Sequence, residues 1–361
     1  MRWQSLMPVN PPNYRQVLWP NAWGKPLTQA VFKRYPQAFC VEEHLGYQLA
    51  GHGEHLYLQI YKINQNTFWV AQQLAKYYAV ATMDVSYAGL KDRYAAISQW
   101  FSIYLPKSNS LALPETILGV KILQATRHTH KLRRGQFAYN RFAITLDLWD
   151  CDPEAFAHRV QQIATFGVPN YFGPQRFGHG GNNVPLFLQY KAQWRRCPRH
   201  QRGLYLSAAR AFLFNALLAA RVHHKNWDQP LLGESLIHSK SKKCLQQVFP
   251  LAQLQQWVAT QIWHPSGPLW GRSRLPLMSL AQARLETQIG GYYTELFEAL
   301  RQFEVKLERR ALRMVPWAFN TMWLGGQAIR LYFTLPPGGF ATSVLKELVT
   351  LKREDNAYFS E

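Results

Sequence analysis

The chain changes its hydrophobic pattern twice, and this change limits the folds that it can adopt. From about residue 31 to 146, short segments alternate apolar and polar residues, as half-buried strands do. Residues from about 170 to 314 carry longer segments with helical spacing, and strand character returns near residue 315. The pattern predicts one mixed-sheet domain, built from both ends of the chain and interrupted by a mostly helical insertion. The predicted limits are 1–168 and 315–361 for the sheet domain and 169–314 for the insertion.

Local signals predict the first elements of the sheet domain. Glu54 to Ile63 alternates apolar and polar residues, which indicates a strand. Asn66 is a typical N-cap residue for a helix that extends through Lys76. Residues 137–146 predict a further strand, on which Asn140 and Phe142 share one face because strand side chains alternate.

The chain carries a large excess of positive charge. Lys and Arg number 41 against 21 Asp and Glu, which gives a formal net charge of +20. Such an excess favours a polyanionic partner, with nucleic acid first and an anionic membrane surface second. Basic clusters at 127–135, 193–203 and 240–243 are interleaved with aromatic residues, whose rings can stack on unpaired bases. Each cluster alone could equally be a solvated face, so it is the chain-wide excess that favours RNA or DNA.

Other kinds of partner and site have weaker support. The most apolar run, 211–222, is broken by Asn215 and is too short to span a bilayer. The N-terminal segment lacks the pattern of a secretory signal. Four cysteines stand far apart without a CxxC pair, which fits reduced thiols in a cytoplasmic protein. The spacings around His52, His128 and Cys197 do not match those of zinc sites, so we expect no metal.

Asp92 stands between Lys91 and Arg93 in the segment GLKDR. Basic groups beside a carboxylate favour its ionised form, and an ionised carboxylate suits a nucleophile or a general base rather than a general acid. The alternative is a structural Asp in a β-turn, which the residue types alone favour. No Asp or Glu close to it in sequence offers the carboxylate pair of most glycosidases, so sugar hydrolysis is poorly supported.

Several segments resemble, in order, those of one known family. GLKDR at 89–93, followed by QWFS at 99–102, is similar to the catalytic motif of the TruD family of tRNA pseudouridine synthases. The other similar segments are FKRYPQAFCVEEHLG (32–46), GEHLYLQIYK (53–62), KLRRGQFAYNRF (131–142), GVPNYFGPQRFGHGG (167–181), LSAARAFLFN (206–215) and GGFATSVLKEL (338–348). The resemblance implies an α+β fold, in which a pseudouridine-synthase mixed, mainly antiparallel sheet domain carries a mostly helical TRUD insertion domain. It also implies uridine at position 13 of tRNA as the usual substrate.

The resemblance further implies roles for individual residues. Asp92 matches the family's catalytic aspartate, and Phe142 matches the aromatic residue expected to stack on the target base. Lys33 matches a basic residue near the carboxylate, and either Lys33 or Arg93 would keep that carboxylate ionised. The remaining expected contacts with the nucleotide are Phe39, Asn140 and Phe340.

The implied reaction breaks the N1–C1′ bond of uridine, rotates the base and rejoins it to the sugar through C5. No redox change occurs and no group is lost, so we expect neither a metal nor a small-molecule cofactor. The expected partner is tRNA, whose uridine must leave its stack, and the expected protein is a cytoplasmic monomer without a membrane partner. Whether Asp92 attacks the sugar or the base, or abstracts a proton, stays open.

Two other interpretations use the same basic surface. One is a non-catalytic tRNA-binding protein or RNA chaperone, which would modify nothing. The other is an RNA methyltransferase, which would require a glycine-rich strand–helix motif for its cofactor, and the sequence shows no convincing one.

Overall fold

The structure is a computed structural model that describes residues 14–15, 17–106, 119–245, 248–272 and 280–352. The strands in these ranges are β1 (Thr28–Phe32), β2 (Phe39–His44), β3 (His55–Ile63), β4 (Val85–Tyr87), β5 (Ala96–Tyr104), β6 (Val120–His128), β7 (Tyr139–Trp149), β8 (Val168–Pro169), β9 (Leu236–His238), β10 (Trp263–Leu269), β11 (Glu308–Ala311), β12 (Arg313–Met314), β13 (Trp317–Gly325), β14 (Ala328–Leu335) and β15 (Val349–Lys352). The α-helices are α1 (Thr67–Tyr77), α2 (Pro153–Phe166), α3 (Asn183–Tyr190), α4 (Arg199–His223), α5 (Leu251–Ala259), α6 (Leu280–Tyr292), α7 (Thr294–Arg301) and α8 (Ala341–Leu348).

The chain divides into two compact units. The sheet unit consists of residues 27–164, 316–341 and the described residues from 348 onward. The helical unit consists of residues 165–315 and 342–347 together with the described residues among the first 26. These two units are defined by the contacts within the chain. The catalytic and insertion domains with the limits 1–168, 315–361 and 169–314 remain a prediction.

Ten strands of the described residues form the sheet of the sheet unit. Along its main path the order is β13-β14-β7-β2-β5-β3-β6, while β1 pairs with β7 and β15, and β4 pairs with β5. The pairs β1–β15 and β2–β5 run parallel, and the other described pairs run antiparallel. The α+β fold with a mixed, mainly antiparallel sheet from both ends of the chain is therefore confirmed.

The helix α1 packs on one face of this sheet. The buried cluster between them includes Leu58, Ile60, Val70, Leu74 and Phe101. At the start of α1, the side-chain oxygen of Asn66 accepts a hydrogen bond from the backbone N–H of Phe68 at 2.8 Å. The predicted N-cap is thus confirmed, and the helix ends one residue beyond the predicted Lys76.

The register of β7 with β2 determines which of its side chains lie on the same buried face of the sheet. Asn140 lies opposite Glu43 of β2 and Phe142 lies opposite Val41, in antiparallel register. Paired residues point to the same side of a sheet, and all four side chains belong to buried residues. The prediction that Asn140 and Phe142 share one face is therefore confirmed.

In the helical unit, the long helix α4 is surrounded by α3, α6, α7 and β10. It begins at Arg199, twelve residues before the apolar run 211–222, and ends at His223. Among the described residues this helix therefore has the length and composition to cross a membrane, although the run 211–222 alone is too short. However, 72% of its apolar window is buried, which is typical of a core helix. The unit also contains the three-stranded antiparallel sheet β11-β10-β9, so it is not purely helical.

The Asn66 cap gives the first testable prediction. Replacing Asn66→Ala leaves the N–H of Phe68 without its acceptor and should lower the free energy of unfolding by about 1 kcal/mol. The measurement is urea denaturation followed by circular dichroism. Asn66→Ser keeps a capping oxygen and should stay close to the wild type. An equal loss in both variants would show that the cap is not the cause.

Candidate active site

The loop between β4 and β5 carries Asp92, and hydrogen bonds hold this loop at several points. The side-chain amide of Gln99 donates to the carbonyl oxygen of Gly89 at 2.6 Å. The backbone N–H of Lys91 donates to the hydroxyl of Thr67 at 3.3 Å, and the N–H of Gly135 donates to the carbonyl of Ala88 at 2.7 Å. Asp92 therefore lies on a loop whose path is set by two neighbouring elements and by the β6–β7 connection.

The carboxylate of Asp92 forms an ion pair with the ammonium group of Lys33. The two side chains are 30% and 16% exposed, so the pair is reachable from solvent but partly shielded. Lys33 follows β1 with a positive φ of 60°, and its ammonium nitrogen lies 4.2 Å from the ring centroid of Phe39. An ammonium in contact with a carboxylate favours the ionised form of that carboxylate. Of the two predicted basic residues, Lys33 makes this contact, while the residue Arg93 is exposed.

Lys62 lies beneath the same loop and was missed by the sequence interpretation. Its side chain is fully buried, its ammonium donates to the carbonyl oxygen of Gln65 at 2.7 Å, and it lies 3.5 Å from the carbonyl oxygen of Asp92. Burial lowers the pKa of Lys62 from 10.5 to about 8, and the nearby charge of Asp92 partly opposes that shift. A lysine at a core-facing position of β3, in line with Leu58 and Ile60, is the sequence signal that could have revealed it.

Lys91 turns away from Asp92 and joins a second polar group. Its ammonium nitrogen lies 2.8 Å from Oε2 of Glu43 and donates to Oδ1 of Asn140 at 2.6 Å. The other carboxylate oxygen of Glu43 accepts the backbone N–H of Trp100 at 3.2 Å. Asn140, expected to contact the nucleotide, is therefore held by Lys91, which Glu43 holds in turn, and neither residue is among the site residues that the sequence predicts.

Aromatic rings line the sheet face beside the ion pair. The rings of Phe39 and Phe142 are tilted at a centroid distance of 6.1 Å, and Phe32 meets Phe39 edge-on at 5.5 Å. Phe142 stacks on Phe333 at 5.4 Å and is only 5% exposed. These rings are thus packed against each other, and Phe142 is a core residue as well as a candidate for base stacking.

Phe340 lies in the loop between β14 and α8 and is half-buried. The structure therefore brings Lys33, Phe39, Asp92 and Phe142 together by direct contacts, and Asn140 joins them through Lys91. Phe340 belongs to the same unit.

A cavity of about 600 Å³ opens on the other side of the sheet. Its lining includes the strand residues Glu42, Gln59, Trp100 and Tyr139, which alternate with those of the ion-pair face. Asp92 does not line this cavity, but Glu43, the partner of Lys91, does, so the cavity touches the Lys91 group and not the Asp92–Lys33 pair.

One carboxylate held by an ammonium, beside aromatic rings on a mixed sheet, is the arrangement that the resemblance implies for a pseudouridine synthase. Comparison with known proteins supports that class. The family model of tRNA pseudouridine synthase D (TruD) matches residues 21–183 and 188–348. The chain is 41% identical over 331 residues to the tRNA pseudouridine synthase D of Nitrosococcus oceani, covering 90% of this chain and 91% of the relative. It is 40% identical over 343 residues to that of Cellvibrio japonicus, covering 93% and 94%.

The fold has a match among solved structures as well. A crystal structure assigned to tRNA pseudouridine synthase D (TruD) from Methanosarcina mazei aligns with a TM-score of 0.70 at 18% identity, covering 93% of this chain and 96% of that chain. At this identity the likeness concerns the fold alone. With the family match and the sequence relatives, it leads to one conclusion: the chain belongs to the TruD family of tRNA pseudouridine synthases.

The buried ammonium of Lys62 gives a prediction about pH. Its pKa in the folded protein, about 8, lies below the ordinary value of 10.5. Above pH 8 the folded protein releases this proton while the unfolded chain keeps it, so stability rises with pH. Relative to Lys62→Met, the wild type should therefore gain about 1 kcal/mol in unfolding free energy between about pH 7 and pH 9.

The measurement is a urea titration of both proteins at each pH. Lys76→Met, which removes an exposed lysine from the same unit, serves as the matched control. A difference between wild type and Lys62→Met that stays constant with pH would contradict the assigned pKa.

Proposed function

We propose that this protein converts a uridine of tRNA to pseudouridine with Asp92 as the catalytic carboxylate. The observation that carries the assignment of Asp92 is its ion pair with Lys33 on a half-buried loop. A structural turn Asp needs no ammonium from a distant strand, whereas a carboxylate that must stay charged near RNA phosphates benefits from one. Membership of the TruD family supplies the reaction.

The reaction balances without any added group. The N1–C1′ bond breaks, a C5–C1′ bond forms, the proton at C5 is lost and N1 gains a proton. Asp92 can serve as a nucleophile or as the base that removes a proton, and both roles require it to be ionised and accessible. Its 30% side-chain exposure and its contact with Lys33 support both requirements equally.

We assign the target base to the aromatic face. Phe142 is backed by Phe333, a stack that fixes the plane of its ring before the RNA arrives. Because Phe142 and Phe39 are only 5% and 6% exposed, the half-buried Phe340 must supply much of the area that holds a flipped base, with Phe39 and Phe142 behind it. Asn140 hydrogen-bonds the nucleotide from the neighbouring position on the same face.

We assign tRNA docking to the basic segments. In the sheet unit, Lys131, Arg133 and Arg134 are exposed around the buried Leu132, whose backbone N–H donates to the hydroxyl of Ser102 at 3.0 Å. An anchored loop with exposed cations can neutralise backbone phosphates without reading the base sequence. We further propose that 1–168 and 315–361 act as the catalytic domain, that 169–314 acts as the TRUD insertion domain, and that the protein works as a cytoplasmic monomer.

Asp92→Asn tests the catalytic assignment. The variant keeps the size of the side chain but loses its charge, so conversion of uridine in a tRNA transcript should fall at least about a thousandfold. Binding of the transcript should stay within a few-fold, because phosphate contacts dominate affinity. The measurements are single-turnover pseudouridine formation and filter binding.

Asp84→Asn makes the same chemical change at the 3-10 turn before β4, in the same unit, and should leave the rate unchanged. Normal turnover by Asp92→Asn would remove Asp92 from the mechanism. A wild-type protein that binds tRNA and modifies nothing would favour the non-catalytic tRNA-binding interpretation.

The position of the target is tested in cells. We propose uridine 13 of tRNA, and pseudouridine mapping with and without the gene should show a signal lost at that position. Loss at a different position would correct the target and leave the assignment of Asp92 in place.

A further inference from the structure

Three polar residues form a chain beside the ion pair. The ammonium of Lys91 bridges Oε2 of Glu43, at 2.8 Å, and Oδ1 of Asn140, at 2.6 Å. The side chain of Glu43 is fully buried and that of Lys91 is 9% exposed. A buried carboxylate and ammonium are stable in such a place only when paired, so this contact is a fixed part of the face.

The ammonium decides which way the amide of Asn140 points. An ammonium has three donors and no acceptor, so the amide atom that it meets must be the oxygen. With Oδ1 accepting from Lys91, the amide of Asn140 turns its Nδ2 group, with two N–H donors, away from Lys91 and toward a ligand. Glu43 keeps Lys91 in place, because its other oxygen is held by the backbone N–H of Trp100.

We propose that Lys91 is a positioning residue that turns Asn140 so that Nδ2 donates to a carbonyl oxygen of the uracil ring. This inference rests on the proposed function and specifies how the site recognises its base. Uracil has acceptor oxygens at both C2 and C4, whereas cytosine has an amino group at C4. A donor held beside C4 therefore finds an acceptor in uracil but faces an amino donor in cytosine, whereas beside C2 both bases offer the same oxygen.

The same arrangement suits the rotation of the base. Turning the uracil ring about its N3–C6 axis exchanges N1 with C5 and, at the same time, O2 with O4. A donor beside one carbonyl of the substrate thus meets the other carbonyl after rotation. Asn140 can therefore donate to the ring before and after the rotation, while its own bond from Lys91 stays in place.

The test uses tRNA transcripts with 2-thiouridine or 4-thiouridine at the target position, because sulfur is a weaker acceptor than oxygen. In single-turnover reactions, at least one of them should slow the wild-type protein by about tenfold relative to uridine. The double variant Glu43→Gln/Lys91→Met removes the bridge without leaving a buried charge unpaired. Its rate with uridine should fall, and its rates with uridine and with the thio-substituted base should differ by less than about twofold.

Two further variants keep the test decisive. Asn140→Asp retains a partner for Lys91 but has no donor, so it should also lose the sensitivity to sulfur. Lys191→Met/Glu295→Gln removes a Lys–Glu pair with the same 2.8 Å separation in the helical unit and should keep the tenfold effect.

The outcomes separate this proposal from the function on which it rests. Equal wild-type rates for all three bases, or a full sulfur effect in either site variant, would overturn the role of Lys91 while uridine conversion stands. No conversion of uridine by the wild-type protein would overturn the proposed function and this inference with it.

Discussion

The site depends on holding one charged carboxylate in a loop that is only partly open to water. The carboxylate of Asp92 forms an ion pair with Lys33, and the buried ammonium of Lys62 lies 3.5 Å from the carbonyl oxygen of Asp92. Neither lysine is adjacent to it in sequence, since one follows β1 and the other lies near the end of β3. The ammonium of Lys33 offsets the loss of hydration around the carboxylate, and that of Lys62 adds a second positive charge beneath the loop. They also tie the position of the loop to the sheet itself.

The sheet topology explains how these strands come together. The long strand β7 pairs with β2 and β14 along most of its length and with β1 near its end, so it joins segments from the beginning, the middle and the end of the chain. Asn140 and Phe142 sit on β7 itself, opposite β2. The sheet that supports the site is therefore built from both ends of the chain, and residues 165–315 of the helical unit lie between them in sequence.

Lys91 and Asp92 are neighbours in sequence that serve different purposes. Asp92 pairs with Lys33, whereas Lys91 joins Glu43 and Asn140. One short loop thus positions the group assigned to chemistry and the group assigned to base recognition. Because one planar peptide bond joins the two residues, a displacement of the loop backbone moves both of them. The coupling gives a physical reason for the close spacing of charges in this loop.

The sequence by itself determined the alternation of sheet and helical regions, the capped helix α1, and the shared face of Asn140 and Phe142. These features follow from local periodicity and from capping chemistry, which act over a few residues. The positive charge likewise points to RNA or DNA, and the ordered motifs point to the TruD family and, through that resemblance, to tRNA. The sequence leaves open whether Lys33 or Arg93 pairs with Asp92, and it does not predict the roles of Lys62, Glu43 and the Lys91 bridge. Only the tertiary structure decided these contacts, because they join the β4–β5 loop to residues on or beside distant strands, and no local pattern encodes how those strands pair.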